Sequence, residues 1–193
     1  MLVQGLLKRR ALLLTLLVLL GIGGLPTPSR AAVEIGGHYT LETLDGNAVT
    51  EQSFVGRWQL VYFGFTLCAD ACPLALSQIS AAMKDLGPLA NRIQPIFITI
   101  DPERDSAESL KVYLSHFDRR IVGLRGTQAQ TDAAADAFRV YFKQVKVKPE
   151  SETYSIEHSS FLFLTKPDGS FARLLQGDEG AHRLADQLRQ LVQ

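Results

Sequence analysis

Two apolar runs separated by a single helix constrain the fold of this 193-residue chain more than any other feature. Residues 57–65 (RWQLVYFGF) and 95–101 (PIFITID) are mostly β-branched, aromatic or otherwise apolar, which is typical of strands buried on both faces. Between the two runs, apolar residues recur at helical spacing: Leu76, Ile79, Met83 and Leu86. Parallel strands are joined by right-handed crossovers of this kind. The sequence therefore predicts a parallel β-α-β unit at the centre of an α/β domain.

Further elements extend the predicted sheet on both sides of this unit. Residues 39–50 alternate around an Asp-Gly-Asn turn and predict an N-terminal hairpin, and residues 160–176 predict a second hairpin. A short strand is expected at 120–126, and a long polar loop at 143–157. With a final helix, this order and the position of the cysteines predict a thioredoxin-like fold, a central mixed sheet flanked by helices, with an added N-terminal hairpin.

Polar residues mark the starts of the two middle helices. Asp105 and Glu108 have the spacing of a capping pair, as do Thr127 and Gln130. The helix that begins after Thr127 is expected to continue to about Tyr141. Apolar residues at helical spacing support the first of the two helices: Leu110, Tyr113, Leu114 and Phe117.

The first 31 residues have the three regions of a secretory signal. A basic cluster at 8–10 precedes an apolar run at 11–25, and small residues follow near position 30. The same stretch also fits an uncleaved anchor, with membrane association through residues 1–25. Both interpretations predict an exported domain, residues 32–193, in the periplasm or on the outer face of the inner membrane.

The charge of the remaining chain restricts the classes of partner. The leading 31 residues carry four of the 20 basic side chains and no acidic one, so the remainder is acidic by about four charges. This balance argues against nucleic acid as a partner. The remaining length, roughly 160 residues, is sufficient for one domain with a hydrophobic core.

Cys68 and Cys72 are the only cysteines, and both precede the helix of the central unit. A disulfide across so short a loop stabilises a fold little, so the pair is predicted to be reactive. Pro73 is expected to keep Cys72 outside the helix. The helix amino terminus favours thiolate over thiol. Two thiolates can exchange electrons through a disulfide, or they can bind a soft metal such as Cu(I).

A trigonal copper site needs a third donor, and His158 is the candidate. It lies before the strand that opens the second hairpin, which in a thioredoxin-like sheet faces the cysteine loop. The other histidines are expected to be solvated or capping side chains: His38, His116 and His182. Zinc held by two cysteines, one histidine and water also fits this ligand set. A peroxidase, which needs a threonine and an arginine beside its cysteine, has only Thr66 in its favour.

Three stretches together resemble the Sco/SenC family, whose members assist the synthesis of cytochrome c oxidase. They are FGFTLCADACPLAL at 63–76, ITIDPERDSAESL at 98–110 and YSIEHSSFLFLTKPDG at 154–169. The resemblance covers nearly all of the chain after the leading segment, in order. It implies a thioredoxin-like fold that binds Cu(I) or Cu(II) through two cysteines and one histidine.

The resemblance assigns the ligand roles to Cys68, Cys72 and His158. It implies a copper metallochaperone, rather than an enzyme, whose partner is the copper-site subunit of the oxidase, with another copper chaperone or a thiol reductase as further partners. The alternative is a periplasmic thiol-disulfide oxidoreductase that uses Cys68 and Cys72 as its redox pair and reduces the cysteines of the oxidase copper site. An oxidoreductase of this fold carries a cis-proline where this chain has His158-Ser159, which argues against the alternative.

The chain departs from the family pattern at three positions near the predicted ligands. Leu67 replaces a frequent histidine, Ala69 replaces a proline, and Glu157 replaces an aspartate. Asp70 matches the acidic residue that is usual between the cysteines. The departures affect no predicted ligand, but they bear on copper affinity, redox potential and the choice of partner.

Two groups of charged residues have competing interpretations. Asp101, Arg104 and Asp105 either order the loop beside the site or form a turn and a helix cap, and the second interpretation is favoured. The lysines of the polar loop either dock an acidic partner or are simply solvated: Lys143, Lys146 and Lys148.

Overall fold

The structure, a computed structural model, describes residues 35–36, 38–148, 150 and 153–192. The predicted signal or anchor, residues 1–31, lies outside the described residues and stays a prediction. The strands of the described part are β1 (Thr40–Thr43), β2 (Ala48–Thr50), β3 (Trp58–Gly64), β4 (Ile93–Thr99), β5 (Val122–Arg125), β6 (Phe142–Lys146), β7 (Tyr154–His158), β8 (Phe161–Thr165) and β9 (Phe171–Gln176). The α-helices are α1 (Ala71–Asp85), α2 (Ala107–Leu114), α3 (Gln128–Ala137) and α4 (Ala181–Leu191). No helix among these residues is long and apolar enough to cross a membrane.

Seven strands form one mixed sheet in the order β2-β1-β5-β4-β3-β8-β9. Strands β3, β4 and β5 are parallel, and the pairs β1–β2, β1–β5, β3–β8 and β8–β9 are antiparallel. The predicted β-α-β unit is confirmed as β3-α1-β4, and both predicted hairpins lie at the sheet edges. All seven residues of β4 are buried, as expected for a strand covered on both faces.

The core fills both faces of the sheet because neighbouring residues of β3 point in opposite directions. Tyr62 faces Phe97, with ring centroids 6.2 Å apart. Phe63 faces the opposite side, where its ring lies 5.4 Å from Phe138 and 6.1 Å from Phe163. Helices α1 and α4 contact each other, and α4 also bonds to α1 through its cap: the Gly180 N–H donates to Gln78 Oε1 at 2.9 Å.

The prediction of a loop at 143–157 is wrong, because most of this segment forms an antiparallel two-stranded ribbon. Strands β6 and β7 pair with Phe142 opposite His158 and Lys146 opposite Tyr154. In the described part of the chain this two-stranded sheet is separate from the seven-stranded one. Among the ribbon residues only Ile156 is buried, and lysine, serine and glutamate occupy exposed positions. The sequence therefore shows no clear alternation of apolar and polar residues. The ribbon determines where His158 lies.

The third predicted helix is shorter than expected. It is capped by Thr127 and Gln130 as predicted, but it ends at Ala137 rather than near Tyr141. Phe138 follows it and is 2% exposed, and Arg139 then takes a left-handed conformation with φ of 56°. The left-handed conformation of Arg139 ends the helical direction of the chain, so that Phe138 is buried in the core and the chain continues into β6.

Truncating Phe138 tests the aromatic core on this face. Phe138→Ala is expected to lower the free energy of unfolding by about 3–5 kcal/mol, since a buried phenylalanine is replaced by a cavity. Urea unfolding followed by tryptophan fluorescence measures the change. Phe161→Ala is the matched control because Phe161 is 37% exposed and should lose far less. Equal losses for the two variants would contradict this account of the core.

Candidate metal centre

The two cysteines lie where β3 leaves the sheet and α1 begins. Cys68 is in the connecting turn, and its N–H donates to the carbonyl of Phe65 at 3.3 Å. Cys72 lies in the first turn of α1, so the expectation that Pro73 excludes it from the helix is wrong. Pro73 is the third helical residue, where the missing N–H breaks no bond within the helix. The start of the helix therefore holds Cys72 in place.

The two thiols differ in burial. Cys72 is fully buried, whereas Cys68 is partly exposed, and both are free. The backbone N–H of Cys72 points at Cys68 Sγ, 3.3 Å away. This is an N–H that the helix itself leaves without a partner, and it is well placed to stabilise a thiolate on Cys68.

His158 ends β7 and reaches the buried thiol. Its Nε2 lies 3.5 Å from Cys72 Sγ, and its Nδ1 lies 3.1 Å from the carbonyl oxygen of Ser159. A carbonyl only accepts, so Nδ1 carries the proton and Nε2 keeps a free lone pair. The ring is held by edge contacts with Phe65 at 5.8 Å and Tyr62 at 6.4 Å between centroids.

Cys68, Cys72 and His158 converge, as the sequence predicts. Their ligand atoms all lie within 4.8 Å of one another. The remaining histidines are elsewhere: His38 bonds to Glu51, His182 is near Asp85, and His116 is exposed. The convergence is notable because 86 residues separate Cys72 from His158.

Two of the donors, Cys68 and His158, line an open groove of about 420 Å³. One wall is the cysteine loop with Ala69 and Asp70, and the other is the ribbon from Ser155 to His158. Leu67, beside the first cysteine, is 63% exposed at this end of the molecule. A second molecule can therefore approach Cys68 from the solvent side, while Cys72 lies behind it.

The SCO1/SenC family model matches residues 27–193, a range that contains all three donors. The chain belongs to the SCO1/SenC family. Among curated members, human mitochondrial SCO1 homolog is 37% identical over 139 residues, which cover 71% of this chain and 46% of that protein. Fission yeast Sco1 is 37% identical over 154 residues, covering 79% and 59%. The chain thus spans about half of the length of the curated relatives it matches.

Solved structures of the SCO1/SenC family share the fold. Yeast Sco1 with copper bound is 35% identical with a TM-score of 0.76, and the match covers 82% of this chain and 88% of that one. Bradyrhizobium japonicum ScoI with copper bound is 34% identical with a TM-score of 0.74, covering 81% and 99%. The predicted thioredoxin-like fold is confirmed.

The favoured prediction for the acidic loop that follows β4, a turn with Asp105 as a helix cap, is wrong about the cap. Ser106, not Asp105, caps α2, with its side chain accepting from the Ser109 N–H. Asp105 is fully buried and accepts bonds from the hydroxyls of Thr66 and Thr99 and from the N–H of Thr66. This burial raises the pKa of the Asp105 carboxyl. Asp105 therefore does not cap the helix but ties the loop after β4 to the segment that leads to Cys68.

Arg104 of the same loop contacts the ribbon, which sequence analysis missed. Its Nε donates to Asp101 and its Nη1 donates to the carbonyl of Tyr154 at 2.8 Å. The Tyr154 hydroxyl donates to Asp101 at 2.8 Å. The sequence signal for Tyr154 was its spacing: Tyr154, Ile156 and His158 alternate along β7 and share one face.

The electrostatics of the pair make Cys68 the thiolate. The hydrogen bond from the Cys72 thiol is the main cause, with a smaller contribution from the Cys72 N–H, and together they lower the pKa of Cys68 to about 4. The pKa of Cys72 is raised, because its proton is held by the Cys68 sulfur and the thiol is buried. One sulfur is thus ionised and accessible while the other is protonated and enclosed.

Alkylation across pH tests this difference. Because its pKa is lowered, Cys68 stays a thiolate as pH falls from about 8 to about 5, the range over which an ordinary thiol becomes fully protonated. Iodoacetamide labelling, quantified by mass spectrometry, should therefore modify Cys68 at a nearly constant rate and leave Cys72 largely unmodified. The urea-unfolded chain is the control, since both thiols should then react at equal rates that fall with pH. Equal labelling of both cysteines in the folded protein would contradict the assignment.

Proposed function

We propose that this domain binds copper through Cys68, Cys72 and His158 and delivers it to the copper-site subunit during assembly of cytochrome c oxidase. The observation that carries the proposal is the convergence of two sulfurs and one imidazole nitrogen within 4.8 Å. Copper bound to yeast and Bradyrhizobium relatives of 34–35% identity supports it. Membership of the SCO1/SenC family supports the role in oxidase assembly.

The donor set fits copper chemically. Thiolate sulfur is a soft ligand that favours Cu(I), and imidazole also suits copper. The Ser159 carbonyl fixes the histidine tautomer, so Nε2 needs no reorientation to donate. Cys68 is ionised in the free protein, whereas Cys72 must release its proton on binding. Three donors suffice for a trigonal site and leave one side open to an acceptor.

Transfer follows from the unequal exposure of the ligands. Cys68 faces the groove, so thiolates of an acceptor can reach the ion from the Cys68 side while Cys72 and His158 still hold it. Replacing one ligand at a time keeps the ion bound throughout. Oxidation of the pair to a disulfide would block binding and couple loading to redox state. The exposed lysines of β6 and of the turn after it, Lys143, Lys146 and Lys148, are available to steer an acidic acceptor.

The proposal includes export of the domain. Its support is the basic and apolar composition of residues 1–31, which fits a cleaved signal or an anchor. Export would place residues 32–193 in the periplasm or on the outer face of the inner membrane.

Thiol-disulfide exchange is the second candidate function, and the lowered pKa of Cys68 favours it. Such a reductase needs both sulfurs but not the imidazole of His158. The two functions therefore differ in what removal of His158 does.

Anaerobic titration with Cu(I) against a chromogenic chelator separates them. His158→Ala should weaken binding by at least the roughly 10–100-fold that loss of an outer-shell partner costs, because a direct ligand is removed. His182→Ala is the matched control, since the His182 side chain is 95% exposed on α4, and its affinity should be unchanged. If His158→Ala binds Cu(I) as tightly as the native protein and the pair only reduces disulfides, the copper-delivery proposal fails.

A further inference from the structure

We propose that the loop of residues 101–105 is a shared support for both halves of the metal centre, with Arg104 as the positioning residue for His158. The inference rests on the proposed function, because it concerns how the copper donors are held at their separation. The two halves come from distant parts of the chain: the cysteines follow β3 and the histidine ends β7. This loop bonds to Thr66, which precedes the cysteines, and to Tyr154, at the other end of the strand that carries His158.

On the cysteine side the support is Asp105. Its buried carboxylate accepts from the Thr66 N–H at 3.2 Å, from the Thr66 hydroxyl, and from the Thr99 hydroxyl at 2.6 Å. Thr66 is two residues before Cys68, at the point where the chain leaves β3. Several bonds to one buried carboxylate fix the backbone that carries Cys68.

On the histidine side the support is a closed ring of three residues. Arg104 donates through Nε to Asp101 at 2.5 Å and through Nη1 to the carbonyl of Tyr154 at 2.8 Å. Tyr154 donates its hydroxyl to the second oxygen of Asp101 at 2.8 Å. The guanidinium carbon also lies 3.7 Å from the centroid of the Tyr154 ring, which adds a cation–π contact.

The ribbon depends on such contacts because it has little support of its own. Among the described residues, β6 and β7 pair only with each other, and a two-stranded ribbon is marginally stable in water. The buried Ile156 is one attachment to the body of the protein, and the ring at Tyr154 is another. His158 is four residues along the same strand from Tyr154, so fixing one end of β7 limits the movement of the other.

Arg104 also lies between the two halves. Its guanidinium carbon is 5.9 Å from the ring centroid of Phe65, and the Phe65 ring in turn contacts the imidazole of His158. The planar guanidinium bonds to Asp101 and to the Tyr154 carbonyl at once, an arrangement that the single ammonium group of lysine does not reproduce. Arg104→Lys therefore keeps the positive charge but cannot form both hydrogen bonds at once.

A double-mutant cycle in the Cu(I) titration tests whether Arg104 acts through His158. Arg104→Lys alone should weaken binding about 10-fold, the lower end of the range for outer-shell partners. In a His158→Ala background the same substitution should change affinity less than about 2-fold, since the histidine that it positions is absent. Arg183→Lys is the control, because Arg183 is exposed on α4 and pairs with Glu179, which precedes the helix, so this variant should bind copper like the native protein. Unchanged affinity in Arg104→Lys, or full additivity with His158→Ala, would overturn the inference.

Amide hydrogen exchange of the metal-free protein supplies a readout that does not involve copper. Residues 154–158 should exchange faster in Arg104→Lys, while β3 keeps its protection. If Arg104→Lys increases exchange throughout the protein, Tyr154→Phe is measured instead. This variant removes only the hydroxyl bond to Asp101 and should increase exchange in the ribbon alone. Unchanged protection of the ribbon in a folded variant contradicts the inference. If His158→Ala leaves copper affinity intact, the proposed function fails, whereas faster exchange in the ribbon would still support the mechanical role of the loop.

Discussion

The close approach of Cys72 to the end of β3 is the constraint on which the rest of the site depends. A Cβ atom at Gly64 would lie 2.9 Å from Cys72 Sγ, 3.0 Å from Phe97 and 3.1 Å from Tyr62, so only glycine leaves room there. Because Gly64 has no side chain, Cys72 Sγ in the first turn of α1 can pack directly against the end of β3. With Cys72 fixed in this way, the positions of Cys68 and His158 are defined relative to a rigid point.

The three donors are held by different parts of the fold, and each part constrains its donor to a different degree. Cys72 is held by helix and core, Cys68 by a turn that Asp105 anchors, and His158 by a ribbon attached at few points. The two sulfurs also differ in burial and charge, since Cys72 is an enclosed thiol and Cys68 an accessible thiolate. In the proposed delivery, exchange would begin at the exposed ligand while the buried one retains the ion.

Much of this arrangement was predictable from local sequence. The central β-α-β unit, the hairpins and the apolar faces of the helices follow from periodicity over a few residues. The cysteine pair and His158 were identified from donor chemistry and the order of elements, and the family resemblance assigned them as the ligands. These features need no knowledge of which distant residues meet.

What sequence analysis missed depends on long-range contacts. Asp105 has the spacing of a helix cap, but its partner Thr66 is 39 residues away, and Arg104 meets Tyr154 across 50 residues. The sequence predicts a loop where the ribbon forms, because only Ile156 of its two strands is buried, which leaves no clear apolar alternation. Contacts of this kind are set by the fold, so they become visible only when the sheet has brought the segments together.

X-ray absorption at the copper K edge of the reduced, Cu(I)-loaded protein tests whether both sulfurs and the imidazole bind the ion. We expect a first shell of two sulfur neighbours and one nitrogen neighbour, with the nitrogen contribution absent from His158→Ala. A shell of sulfur alone in the native protein would contradict this expectation, because the ion would then be held without the imidazole that the fold brings to the cysteine pair.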